Sequence, residues 1–382
     1  MPWQHWRTID PQVTHSSDDA TYIKKLPQSN FLHTLLVLVE MDNGATNNQG
    51  LGMSDAVDWI KVIGGGSQVL AYLEPETIRG LHLFETGKMF EETHDEQGGN
   101  TQYAAYPIHF GRGWYDQNYY LPLRSFNDLE VQIKYSPTIA ATSFATGTFK
   151  TTILGLMTLD GNPGTYEGTF VTRILQNFTT AASGDETIEP PQRHPWRFLG
   201  VRCYEAGIAD GVDITNVQFD LNDEQRIPLN LSWNELHKLN YSLKPVDALK
   251  TGILDRTDAD TVATQLSRIQ QATLDVEESE TYAQVTNIAG DTLTLEVNDQ
   301  ATQAVDEGGA ATYSIHAADT ADHALRYALR GKGLPFMTYI PLFNRDEPPY
   351  FDPTRWDQVK LSLTQGAAGG DVDVILQEVQ RL

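Results

Sequence analysis

Two stretches decide the fold: YAAYPIHFGRGWYDQNYYLPLRSFNDLEVQIKY at residues 103–135, and FMTYIPLFNRDEPPYFDPTRWDQVKLSLTQ at residues 336–365. Both end in an alternating run. Leu129, Val131, Ile133 and Tyr135 fall on one face against Glu130, Gln132 and Lys134, and Val359, Leu361 and Leu363 repeat the pattern against Lys360 and Ser362. Period two marks a half-buried strand. Ahead of each strand, IHFGR matches PLFNR and SFNDLEVQI matches RWDQVKLSL. These matches set Phe110 opposite Phe343 and Phe126 opposite Trp356, the candidate core aromatics of a repeat.

A second pair of matching blocks lies upstream in the same order, as a duplication requires. VLAYLEPETIRGLHL, from Val69, aligns without gaps on IPLNLSWNELHKLNY, from Ile227. Val69, Ala71, Leu73, Ile78 and Leu81 fall on Ile227, Leu229, Leu231, Leu236 and Leu239, and the apolar period changes from two to helical at the same point in both. Pro75 suits a first helical position, and Ser232 with Glu235 forms a capping-box pattern. Leu73 and Phe110 are 37 residues apart, Leu231 and Phe343 112, so the second copy carries about 75 extra residues. Residues 251–320 fit that insertion, with 13 acidic against 2 basic residues. They read as an exposed excursion holding an amphipathic helix near 260–274 (Val262, Leu266, Ile269) and a hairpin around VTNIAGDTLTLEV.

Further strands are expected at 31–41, 57–63, 69–73, 148–159, 198–204, 214–221, 227–231 and 372–379, with few helices. The fold class is therefore all-β: two tandem eight-stranded jelly-roll sandwiches with short helices and a large insertion in the second. The division reads as an arm at 1–30, a first jelly roll at 31–182, a linker at 183–194 and a second jelly roll at 195–382, with 251–320 a tower.

Composition narrows the function. The chain of 382 residues carries 51 acidic and 27 basic side chains, a formal charge of −24, and its average surface repels phosphate. Direct sequence-specific nucleic-acid binding is not expected. The longest strongly apolar run, LLVLV from Leu35, is far short of the ~20 residues that span a bilayer, and the first residues lack a secretory apolar region. One cysteine, Cys203, excludes an intrachain disulfide and a multi-cysteine zinc site. His82 and Glu85 lack the close histidine partner of a cupin-type metal site. No Walker loop, nucleophile elbow or catalytic-cysteine context is present, and Gly64–Gly66 reads as a turn. The rings of GRGWYDQNYY suit rim packing or a subunit contact better than sugar stacking.

The blocks YPIHFGR, YLPLRSFNDLEVQIKY and IKVIGGGSQVLAYLEPETIRGLHLFETG resemble the double jelly-roll major capsid proteins of the adenovirus, tectivirus and large nucleocytoplasmic DNA virus lineage. The polar GWYDQNYY loop, and FDPTRW in place of LPLRSF in the second copy, point to a bacterial or archaeal virus. The resemblance implies no enzyme and no cofactor. It implies instead a structural protein of the virion, forming pseudo-hexameric homotrimers in an icosahedral shell assembled in the host cytoplasm. Its partners would be itself, neighbouring capsomers, penton and minor capsid proteins, and an internal viral membrane. Trp3, Trp6, Arg7, Lys24 and Lys25 of the arm are candidate anchors on a neighbouring subunit or a headgroup layer. No metal-ligand set is readable. The alternative reading is a tandem jelly-roll glycan-binding protein or glycan amidase.

Overall fold

The computed structural model describes residues 3–49, 51–159, 164–256, 260–263, 266, 268–276, 281–289, 292–299, 323–341 and 348–382. The first unit runs β1 (Trp3–Thr14), β2 (Ala20–Lys25), β3 (Phe31–Asp42), α1 (Met53–Ala56), β4 (Val57–Gly64), β5 (Gln68–Leu73), α2 (Pro75–Thr86), β6 (His94–Asp95), β7 (Thr101–His109), β8 (Leu121–Pro122), β9 (Leu129–Tyr135) and β10 (Lys150–Leu159). The second begins with β11 (Thr169–Thr179), β12 (Gly184–Ile188), β13 (Trp196–Tyr204), β14 (Ile214–Leu221), β15 (Arg226–Ser232) and α3 (Trp233–Leu243). An excursion follows: β16 (Asp247–Arg256), β17 (Asp260–Ala263), β18 (Ile269–Val276), β19 (Thr281–Ala289), β20 (Thr292–Asp299) and β21 (His323–Lys332). The unit closes with β22 (Met337–Tyr339), β23 (Val359–Gln365) and β24 (Asp371–Gln380).

Each unit is a sandwich of two four-stranded layers. In the first, β1-β10-β3-β7 faces β2-β9-β4-β5, with β8 added on β3; in the second, β11-β24-β13-β22 faces β12-β23-β14-β15. The two orders are the same list shifted along the chain. The correspondence extends to irregularities. The β10–β3 register slips between Leu156 and Met157, and the β24–β13 register slips at the matching place, where Phe198 pairs with Gln377 and Trp196 with Glu378. β1 bulges between Thr8 and Asp10, and β11 between Ile174 and Gln176. One-turn helices, Leu123–Ser125 and Pro353–Arg355, precede Phe126 and Trp356 in their respective copies.

Local chemistry explains the elements. β9 buries Leu129, Val131, Ile133 and Tyr135 while its alternate residues stay half-exposed, and β23 buries Val359, Leu361 and Leu363. Each such apolar side chain removed from water contributes about 1.5–3 kcal/mol. α2 starts at Pro75 and stops where Gly87, at φ 71°, donates its N–H to the Leu83 carbonyl. α3 starts on the expected capping box: Glu235 N–H donates to Ser232 Oγ at 3.3 Å, and Ser232 N–H to Glu235 Oε2 at 3.0 Å. Gly64–Gly66 ends β4 and turns into β5.

Several expectations need correction. Residues 1–30 are not an arm ahead of the sandwich: β1 pairs along β10 and β2 along β9, so they supply two of its strands. Residues 183–194 are not simply a linker, because β12 lies there and pairs with β23. The expected boundary at 182 falls between β11 and β12, strands of one sandwich. No helix forms near 260–274, where the described residues make β17 and β18, while the expected hairpin is β19–β20. The excursion is also less detached than a purely exposed tower. β16 and β21 pair over their full lengths, β18 flanks β21, and β6 of the first unit joins β16 in parallel. Leu254, Leu325, Tyr327 and Leu329 are buried in the same cluster as the first sandwich core. Gly252 permits the β6 approach, since a Cβ there would lie 2.3 Å from the His94 carbonyl oxygen.

Candidate assembly surfaces

The first surface is internal. Ala71 and Tyr72 of β5 pair in parallel with Thr172 and Arg173 of β11, joining one layer of each sandwich into a single eight-stranded sheet. β13 and β24 are consequently covered on both faces. Leu199, Val201, Cys203, Val374 and Leu376 point into the second core, whereas Phe198 and Ile375 belong to the cluster of the first. α2 crosses the seam: Phe84 stands edge-on to Phe198 at 4.8 Å and to Tyr339 at 5.1 Å.

The rest of the seam is polar and buried, so every charge there needs a partner. Arg197 donates to Glu85 Oε2 at 2.8 Å and Gln377 Oε1 at 2.6 Å, and Gln377 donates to Thr172 Oγ1 at 2.9 Å. Asp373 accepts from Thr77 Oγ1 at 3.1 Å and Asn177 Nδ2 at 2.9 Å, with Arg202 3.6 Å away. Burial, with the neighbouring Asp373 charge, pushes the Glu74 carboxyl up to about 7. Glu85, read beside His82 in the sequence, thus serves as the counter-charge of Arg197.

The second surface is the end of the sandwiches where β1 starts and β3 starts, β7 ends and β10 ends, here called the base. His82 Nδ1 lies 3.0 Å from His109 Nε2, and His109 Nδ1 lies 2.9 Å from Thr34 Oγ1. Trp114 closes over both rings at 5.4 and 4.8 Å and meets Trp6 at 5.6 Å. Burial depresses these imidazoles, His82 to about 4 and His109 to about 3. They are neutral structural groups at pH 7. Among the described residues no group of three His, Cys, Asp or Glu side chains could hold a metal ion. Tyr119 and Tyr120 of the same loop are buried, leaving Tyr115 as its exposed ring, so the loop packs rather than offers a stacking platform. Beside it, Tyr119, Tyr166, Tyr350, Phe351, Trp356 and Arg381 line a cleft of about 970 Å³ between the units.

The candidate residues divide accordingly. Phe110 and Phe126 are buried in the first core, Trp356 packs half-buried against the second, and Phe343 lies outside the described residues. Trp3 sits in β1 opposite Leu159, and Trp6 and Arg7 are exposed on the same strand. Lys24 is held by the buried Asp10 at 2.6 Å, while Lys25, 3.0 Å from Asp128, keeps its side chain largely exposed. Asp10 also accepts from Tyr22, whose hydroxyl burial and that contact push up. Cys203 is buried and its thiol is pushed far up by burial, an inert packing group.

No family model matches the sequence, and no curated protein matches it. Among solved structures, the STIV MCP, a double jelly-roll major capsid protein, aligns over 99% of this chain and 97% of its own at TM-score 0.55 and 9% identity. The fold is the double jelly roll. The major capsid protein P2 from bacteriophage PM2 aligns over 99% and 98% at TM-score 0.47 and 9% identity. In this double jelly roll no described helix is long and apolar enough to cross a membrane.

Proposed function

We propose that this chain is the major capsid protein of an icosahedral virus, and that three copies form a pseudo-hexameric capsomer. One observation carries the reading: two sandwiches with the same strand order and the same bulges are joined edge to edge, β5 on β11, by a contact that uses a different face of each. Such a heterologous contact repeats until a ring closes. With two equivalent units per chain, closure at six units takes three chains. The excursion leaves the sandwich from the end opposite the base, where β6 pairs with β16 and Asn47 donates to the Asp255 carbonyl, and this supports reading it as an outward tower. The base then faces inward, toward penton and minor capsid proteins at their contacts and an internal membrane. Assembly takes place in the host cytoplasm.

The experiment is sedimentation of the purified protein with negative-stain imaging, at low and high salt. A trimer with a hexagonal outline is expected, more stable at high salt because the −24 charge of each copy is then screened over ~3 Å rather than ~30 Å. Monomers at every salt and protein concentration would refute the reading.

A further inference from the structure

The two strands that make the internal contact have counterparts that are left open. The ungapped match from Val69 and Ile227 places Ala71 and Tyr72 on Leu229 and Asn230 of β15. The shared register places Thr172 and Arg173 on Trp6 and Arg7 of β1. Thr172 stands opposite Gln377 just before the β11 bulge, and Trp6 stands opposite Leu156 just before the β1 bulge. β15 is the last strand of its layer and β1 the last of its own, so among the described residues each ends a sheet. Edge strands with unpaired N–H and C=O groups are templates for another strand.

We propose that β15 of one copy pairs in parallel with β1 of the next, setting Leu229 opposite Trp6 and Asn230 opposite Arg7. This deepens the capsomer reading and rests on it. Within the chain the ladder is two residues long because the β11 bulge ends it; the β1 bulge sets the same limit, and Pro228 withholds a donor just before Leu229.

Side chains agree with the assignment. Trp6 is 41% exposed on β1 and Ile227 46% on β15, large apolar groups on two open edges. In the internal contact Arg173 donates to Glu378 Oε2 at 2.8 Å. The register equivalent of Glu378 is Met157, so Arg7 has no such carboxylate in its own sheet and makes no ion pair among the described residues. Across the proposed contact it meets the amide of Asn230, a neutral acceptor.

The test uses two full-length single variants, Arg7→Cys and Asn230→Cys, both at exposed positions, mixed and oxidised. Paired strands lie ~4.8 Å apart, inside the 4.4–6.8 Å Cα window of a disulfide, and the one native cysteine, Cys203, is buried. The mixture should give a disulfide-linked dimer at least tenfold above either variant alone. Arg7→Cys with Ile227→Cys, ~10 Å out of register, should not. In the unsubstituted protein, amide exchange at Trp6–Arg7 and Leu229–Asn230 should slow on trimer formation. A trimer without the in-register crosslink, or with equal crosslinking out of register, or without slowed exchange, overturns the strand pairing and leaves the capsomer standing. Absence of any trimer overturns both.

Discussion

The first sandwich and the second share a strand plan and bury different chemistry. Among the described residues the first holds His15, His33, His82, His94 and His109 in its interior, all 8% exposed or less, and the second holds one buried histidine, His237, together with Trp196 and Trp233 at 1%. Strand order, two bulges and the one-turn helix before the β9 or β23 strand survive that exchange. Backbone irregularities therefore define the unit more faithfully than the identity of its core. They fix which residues face inward, and any set of side chains that fills the space and pairs its polar atoms then suffices.

The largest effect is expected at β1. If β1 is to the first sandwich what β11 is to the second, deleting residues 1–16 removes an edge strand and the partner of β10. Loss of soluble folded protein is expected, read by circular dichroism and gel filtration; a truncated protein that stays folded with a cooperative melt would restore the arm. The next effect is acid. His33 and His82 are depressed to about 4, so the unfolded chain, at an ordinary value near 6.5, binds more protons than the native one between those limits. Stability is then fully present above about pH 6.5 and falls as pH drops toward 4, by on the order of 3 kcal/mol for each ring. Asp213 in the second sandwich has the opposite sign: burial and Glu205 push it up to about 6, so protonation favours its folded state. Hydrogen exchange at pH 4.5 should show first-sandwich amides losing protection ahead of second-sandwich ones, and equal loss would remove the distinction. The smallest of the three is local to the seam. Arg197→Ala strands Glu85 in a buried site and should cost about 3–5 kcal/mol in urea denaturation. A loss below about 1 kcal/mol would mean that the units hold together without that pair.

Much of this was readable from the chain. Strands β9 and β23 alternate without interruption, and the β5–α2 and β15–α3 blocks switch period at the same residue, so both repeats announce themselves. Three strands carry a physically weak signal. β1 carries Pro11 and two bulges, which break the alternation; β11 is interrupted at Ile174–Gln176; β12, Gly-Asp-Glu-Thr-Ile, is a polar, mostly exposed edge strand. With β11 and β12 unread the boundary between units shifts, and with β1 and β2 unread two strands become an arm. In the excursion, Val262, Leu266 and Ile269 have helical spacing by coincidence, and strand pairing decides the conformation instead. Contacts between distant residues left no local trace. His82 and His109 lie 27 positions apart and Glu85 and Arg197 112, and nothing near any of them names its partner.

β13 is covered on two sides: Leu199, Val201 and Cys203 serve one core while Phe198 and Gly200 face the other way, toward Phe84 and the edge of α2. A strand in this position cannot tolerate change like one with a free face, since the residues on both of its sides answer to a neighbour. The halves depend on each other at that point. Expressed separately, each would show an oily, half-charged wall that only the missing half can cover.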